Sequence, residues 1–535
     1  MTLCVWNVDW PGEGVDPVRA VAQVLGVSPQ SVGSVRLLKK SLDARRRKQV
    51  WKATYRVDAH DEAEILDREP RHVRAWTERD ALRHGDIDPA PPVRTFPDGF
   101  RVVVVGAGPA GLYASLYLAE SGASVTLLER GEPVETRVGT VNGHWRGKRA
   151  LDPESNVVFG EGGSGTFSDG KIYTRRRDGD LGYIFRRLVD FGADREVLQD
   201  AWAHLGTDRV RAILPRFRAR LQELGVTTRY HACARKLETA DGRVAGVVLA
   251  SGEAIGCDAV VVAGGHSARD TAAMLIEAGA SARARPIAVG ARIEHPQGLV
   301  DDARYHRDRG ELPAASYRLA HEFDDGSKVR TFCMCPGGMV VPASNHPGRA
   351  VVNGMSFAAR RSFWANSAVV VEVQPDSYGG EGPLRGYDFQ DAIERACAQA
   401  AGGEDRAPAQ RVDDFLNGTP SSDLPKVSYP RGVTPVDLAN LLPPDIVRGM
   451  KEGIRHFDET IPGFASDRGV LIAPETRTTS PVRFLRTETL VSETLDGLYP
   501  SGEGAGYGGG IVSCALDGMR VGRAIAERFG QLSSD

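Results

Sequence analysis

"FRVVVVGAGPAGLYASLYLAESGASVTLLERG", residues 100–131, decides the fold class. An apolar strand runs into Gly106, Gly108 and Gly111, an amphipathic helix follows and ends at Gly122, and a second apolar strand ends at Glu129 and Arg130. In the G-x-G-x-x-G pattern the first glycine makes the tight turn. The second lets backbone approach a pyrophosphate, and the third lets helix and strand pack closely. The helix start at Pro109 offers a partial positive charge to phosphate, with unpaired N–H groups from Ala110 onward, since proline itself carries none. Glu129 stands 18 residues after Gly111, where a carboxylate accepts hydrogen bonds from a ribose. The spacing predicts a dinucleotide site on an α/β, Rossmann-like sheet.

Working outward, the chain of 535 residues is long enough for two to four domains. With 67 basic and 70 acidic residues the formal net charge is −3, so the surface as a whole is no polyanion binder. Glycine is in excess, 61 residues, which points to loops that hug a ligand. The seven cysteines are mostly scattered singly, and "MTLCVWNVDWPGEG" turns polar at once. No run approaches the roughly 18 apolar residues of a membrane helix. A cytoplasmic, reducing setting without a membrane span is expected.

Residues 1–98 read as a small α+β module. "DPVRAVAQVLG" is a helix with Asp16 as N-cap and Gly26 as stop, and two strands flank the charged turn of "KKSLDARRRK", residues 39–48. That turn carries six basic residues and one Asp; a nucleic acid could dock there, and a solvated hairpin is the plainer alternative. A proline-rich stretch, residues 86–99, reads as a linker. From Phe100 to about residue 265, glycine-rich loops alternate with helices; short strands dominate about 285–480, and strand, glycine turn and helix return at the end.

Near the C-terminus "GEGAGYGGGI" packs six glycines into the nine positions from Gly502 to Gly510. With the helix that follows, small-faced at Ser513, Ala515, Gly518 and Gly522, it resembles the closing motif of flavoproteins with the glutathione-reductase-type FAD fold. The resemblance implies that Glu503, where such proteins usually show Asp, holds the ribityl chain after Gly502. It also implies that the helix start at Gly510 and Ile511 points at the flavin ring. "CDAVVVAGGHSARDT", residues 257–271, resembles the strand that returns to the FAD domain, with Gly264 and Gly265 near the adenosine half. "NVVFGEGGSGTFSDGKIYTR", residues 156–175, would cover the pyrophosphate and one flavin face through Gly162, Gly163, Gly165 and Thr166.

Together with "RTFCMCPGGMVVPASNHPGRAVVNGMS" (330–356) and "ETRTTSPVRFLR" (475–486), these motifs look like a largely uncharacterised bacterial family of FAD-dependent dehydrogenases. The resemblance covers most of the chain. It implies a discontinuous FAD domain, residues 99–284 and 481–535, interrupted by an α+β substrate domain, 285–480.

The chemistry is less specific. No redox Cys pair follows the first motif, and no second G-x-G-x-x-G is present, so any NADH or NADPH would dock transiently. Gly264-Gly265 stands where aromatic hydroxylases of this type show Asp-Gly, although Ser267 and Arg269 are kept. Cys333 and Cys335 are a candidate thiol pair beside the flavin, or two buried small hydrophobes on a strand whose period of two puts them on one face. Lys171, with Asp169, is a candidate proton donor and its partner, or else Asp169 caps a turn and Lys171 neutralises phosphate. Arg477, with Arg483 and Arg486, offers guanidinium forks to an anionic small-molecule substrate, or to a structural carboxylate. Glu475, His266 and His295 are spare acid–base groups. No ligand set completes a metal site. The expected function is hydride transfer between FAD and a small organic substrate. A flavin-containing RNA-modifying protein and a non-catalytic flavin-binding protein that docks partners are the alternatives.

Overall fold

The computed structural model describes residues 2–44, 49–84, 90–174, 178–200, 202–403 and 405–532. It divides into two units, Met1–Ala90 with Lys171–Leu205, and Pro91–Gly170 with Gly206–Asp535.

In the first unit, strands Val32–Asp43, Val50–Ala59, Thr2–Asp9 and Val73–Ala75 form an antiparallel sheet in that spatial order. Helix Val18–Leu25 turns Val21, Ala22 and Leu25 onto Leu3, Val5 and Val57, and Ile65 of helix Glu62–Asp67 joins the same core. The β-α-β-β-α-β order with this strand arrangement is ferredoxin-like. The helix signals act as the sequence spells them: Asp16 accepts from the Val18 N–H at 3.0 Å, and Gly26 closes the helix at φ 69°. Residues 45–48 of the basic turn lie outside the described residues. The segment Lys171–Leu205, which the sequence analysis left within 99–284, is grouped with this unit. Its helix Leu181–Asp190 packs beside Glu78–His84, and the Lys40 N–H donates to the Gln199 carbonyl at 2.6 Å.

The second unit holds a five-stranded parallel sheet, Leu498–Pro500, Ala259–Val262, Arg101–Val105, Ser124–Leu128 and Thr227–Arg229. Strands from three distant parts of the chain thus lie side by side, with Val105 opposite Val262 and Val262 opposite Pro500. Such strands read as continuous apolar runs because both faces are covered: helix Pro109–Glu120 packs on the sheet, and Val103, Val105, Val260 and Val262 pack against Leu237, Val244 and Val247 of strands Ala234–Ala240 and Arg243–Leu249. Helix Pro109–Glu120, expected to be amphipathic, is buried from Ala110 through Ala119. The reason is helix Ile511–Phe529, which packs across its outer side. The stretch up to 265, read as glycine loops and helices, also carries a three-stranded antiparallel sheet, Ala234–Ala240, Arg243–Leu249 and Ala254–Gly256. Its polar outer face hid the strand signal: only Ala234 and Leu237 of the first strand are buried.

Residues 287–475 carry a seven-stranded sheet ordered Ala320–Glu322, Lys328–Cys335, Trp364–Val373, Ile287–Pro296, Val470–Glu475, Ala407–Arg411 and Val433–Pro435. Helix Pro444–Thr460 lies on it, with Gly449 and Gly453 against Val371 and Val329. Among the described residues no helix is long and apolar enough to cross a membrane.

Candidate functional site

A cleft of about 830 Å³ opens at the C-terminal ends of the parallel strands. Its wall includes Gly106, Gly108, Pro109, Ala110, Glu129, Arg130, Gly163, Gly264, Gly265, Gly502 and Glu503. Segments of the chain some 400 residues apart therefore meet on one wall. Gly162, Gly165, Thr166, Gly510 and Ile511 lie off it; a Cβ on Gly165 would stand 3.1 Å from the Ile511 side chain. Gly111 is behind the wall. A Cβ there would fall 1.8 Å from the Gly106 carbonyl, so the third glycine serves helix–strand packing rather than the ligand. Gly518 does the same for the last helix, where an added Cβ would stand 1.9 Å from the Ala110 carbonyl.

Helix Pro109–Glu120 begins at Gly108 without a side-chain cap, which leaves its first N–H groups turned to the cleft for a phosphate. The Glu129 carboxylate accepts from three backbone N–H groups, Ala107 at 2.8 Å, Gly131 at 2.9 Å and Gly160 at 3.0 Å. A carboxylate has about four acceptor positions, so one remains for a ribose hydroxyl. Arg130 forms part of the cleft wall. Its guanidinium lies 4.2 Å over Phe159 and is held by Glu154 and Asp270 at 2.6–3.0 Å, so it shapes the wall rather than reaching for a phosphate. Ser267, buried at 3% exposure, has a hydroxyl on this wall with no hydrogen-bond partner among the described residues. An unpaired buried polar atom beside glycine backbone fits a polar ligand.

Three residues that sequence reasoning missed hold the walls in place. Asp517, inside the last helix, accepts from the Gly502 N–H at 2.7 Å and the Ser501 hydroxyl at 2.9 Å, and Arg486 clamps its carboxylate. Arg137 is fully buried and donates to the carbonyls of Asn156, Val157, Gly160 and Glu161. Burial pushes its pKa down to about 9, and it pins the glycine loop from inside. Glu161 caps the Val134 N–H at 2.8 Å and pairs with Arg218 at 2.9 Å. The only sequence signal was an acid, Asp517, among small residues; nothing marked Arg137.

The proposed catalytic residues fall in different places. Lys171 belongs to the first unit and bridges to His204, while Asp169, of the second, is buried against Arg360 and Ser356. Arg477 spends its donors on Glu394, at 2.7 and 2.8 Å, and on Asn345 at 2.6 Å. Burial opposes the Glu394 charge, but Arg477 and Arg269 hold that carboxyl below its usual range. Arg486 is committed to Asp517. Arg483 and Arg285 instead converge on the Gly506 carbonyl at 2.9 and 3.2 Å. Burial and then the neighbouring Arg483 lower the Arg285 pKa, a like-charge pair that an anion would relieve.

Cys333 and Cys335 do not share one face as a regular strand would place them. The pairing with Trp364–Val373 slips between Phe332 and Cys335, and Cys333 sits at φ 47° in the bulge. His266 lines the cleft 3.7 Å from Glu503, Glu475 is buried in an ion pair with Arg292 at 2.8 Å, and His295 is fully buried on Phe464.

A model of the FAD binding domain matches residues 100–150, a model described as FAD-dependent protein, C-terminal domain-like, matches 286–478, and a domain of unknown function matches 18–60. An uncharacterized protein of Clostridium beijerinckii is 38% identical over 96% of both chains. Among solved structures, the E. coli quinol fumarate reductase FrdA chain is 14% identical over 80% of this chain and 70% of its own, with a TM-score of 0.37. The flavin-dependent brominase Bmp2 is 14% identical over 80% and 79%, with a TM-score of 0.37. The GidA-related protein from Thermus thermophilus is 13% identical over 81% and 100%, with a TM-score of 0.28. At these scores the superpositions are too loose to carry a site across.

Proposed function

From a chain that is an FAD-dependent protein and belongs to one family with the Clostridium beijerinckii relative, we propose an oxidoreductase that moves hydride between FAD and a small anionic substrate. The observation that carries this reading is the meeting of Gly106–Gly108, Gly264–Gly265 and Gly502–Glu503 on one cleft wall. The uncapped start of helix Pro109–Glu120 would hold the pyrophosphate, the remaining acceptor position of Glu129 a ribose, and Glu503 the ribityl chain. Bound there, FAD supplies a two-electron acceptor.

The chain's own contribution is electrostatic. Helix Ile511–Phe529 begins at Gly510 without a side-chain cap, so its N-terminal dipole favours negative charge on a reduced ring. Arg285 and Arg483 favour an anion beside Gly506, which supports an anionic substrate now that Arg477 and Arg486 are committed to carboxylates. NADH or NADPH would act as a transient reductant. The test is anaerobic: purified, FAD-loaded protein is offered NADH, NADPH and a panel of organic acids while the flavin absorbance is followed. Bleaching by one of them at a catalytically useful rate is expected; a protein that takes up no FAD sinks the reading.

A further inference from the structure

The bulge in strand Lys328–Cys335 is unusual in what it places together. Bulges re-aim side chains, and a non-glycine residue held in left-handed backbone, as Cys333 is at φ 47°, is a conformation that recurs at functional sites. The turn brings the Cys335 sulfur within 3.3 Å of the Cys333 carbonyl. Cys333 is partly exposed and Cys335 fully buried, and neither is in a disulfide.

One cation meets both residues, Cys333 through its backbone carbonyl and Cys335 through its sulfur. Arg292, fully buried, bonds the Cys333 carbonyl at 3.2 Å and approaches the Cys335 sulfur at 4.0 Å. Asn366 at 2.6 Å, Asn353 at 3.2 Å and Glu475 at 2.8 Å fix its plane. Burial is the largest influence on Arg292 and opposes its charge, but Glu475, Cys335 and Cys333 together outweigh it and hold the guanidinium protonated. A guanidinium locked beside a sulfur favours thiolate. Glu475 also lies within electrostatic reach of Cys333 and of His266, and His266 lines the cofactor cleft.

We propose that Cys333 and Cys335 are a redox-active dithiol that exchanges an electron pair with the bound FAD, and that a low-molecular-weight disulfide is a second substrate, which accepts the electrons FAD gains as hydride from the first. The inference rests on the flavin reading above. In the oxidising direction two S–H bonds break and one S–S bond forms; the electron pair and two protons go to FAD, which becomes FADH2. In the reducing direction FADH2 returns them and opens the disulfide. The more accessible Cys333 thiolate then attacks one sulfur of the substrate disulfide and expels a substrate thiol. Cys335 attacks the mixed disulfide, releases the second substrate thiol and closes the S–S bond. One substrate disulfide and one dithiol thus give two thiols and one protein disulfide.

The test uses full-length, FAD-loaded protein oxidised with diamide, desalted, and titrated anaerobically with dithionite. Wild type is expected to take up twice the reducing equivalents per flavin that Cys333→Ser or Cys335→Ser does. After denaturing alkylation, the oxidised wild-type peptide bearing both cysteines should carry no adduct and be two hydrogens light, and the reduced one should carry two adducts. The mass readout needs wild type alone, so it stands if the buried Cys335→Ser fails to fold. An FAD-loaded protein with equal uptake in all forms, and both sulfurs alkylated after oxidation, overturns the dithiol and leaves the flavin reading intact. A protein that binds no FAD overturns both.

Discussion

The second unit solves two binding problems in opposite ways. Its cofactor cleft is walled by main chain, with Gly106, Gly108, Gly264, Gly265 and Gly502 giving backbone direct access to a ligand. The large sheet is instead braced by buried charge: Arg292 with Glu475, and Arg269 and Arg477 with Glu394. Backbone donors cannot move or titrate, so they suit a phosphate that must always be held. Buried ion pairs set geometry and field, but each partner depends on the other, since an unpaired buried charge is costly.

The difference sets the order of expected effects. The largest belongs to the glycine wall. Gly111→Ala drives a Cβ into the Gly106 carbonyl at 1.8 Å, and backbone on both sides cannot give way. The FAD-loaded fraction should drop by more than about tenfold, equivalent to at least ~1.4 kcal/mol, or the protein should fail to fold. Gly139→Ala, with nothing within 4 Å of the new methyl, should bind FAD normally and gain up to about 1 kcal/mol of stability. Equal FAD content in the two variants would break the comparison.

Next comes the charged brace. Glu394→Ala strands Arg477 and Arg269 and should cost about 3–5 kcal/mol by denaturant unfolding. Glu394→Leu with Arg477→Met should recover part of that. A single variant as stable as wild type would show that the network stores no interdependence.

A smaller effect is a pH slope. His295, fully buried with its Nε2 on the Phe464 carbonyl, has its pKa lowered to about 4 from 6.5 by burial. Its contribution is therefore present above about 6.5 and lost as pH falls toward 4, on the order of 3 kcal/mol. Neighbouring Glu294 has its pKa raised to about 7 from 4.5 by burial, so its contribution is present below 4.5 and lost as pH rises through 7. His295→Gln should flatten the acid side of a melting-temperature profile, and Glu294→Gln should steepen it; unchanged profiles in both would refute the assignment.

The smallest test returns to the cleft. Ser267→Ala removes a hydroxyl with no partner among the described residues, so stability without FAD should hold while FAD affinity falls about fivefold, ~1 kcal/mol. Unchanged affinity would mean that the hydroxyl faces no ligand atom.

Legibility follows the same division. The strand, Gly106-x-Gly108 turn and helix were readable because their chemistry is local: a turn, a close approach and a helix start are all written within a few residues. The pairing of Arg477 with Glu394, or of Asp517 with the Gly502 turn, was not, because an arginine in sequence looks alike whether it awaits a substrate or a carboxylate 83 residues away. The bulge at Cys333 escaped for a related reason. A period of two assumes an unbroken ladder, and the slip is visible only against the opposing strand.

By itself the sequence determined the strand, glycine turn and helix start that wall the cleft, because bare backbone and helix starts are properties of short contiguous segments. Only the tertiary structure decided which charges are neutralised, which thiol meets a cation and which hydroxyl is left over. Those outcomes depend on distances between residues far apart in the chain, and burial turns each of those distances into an energy.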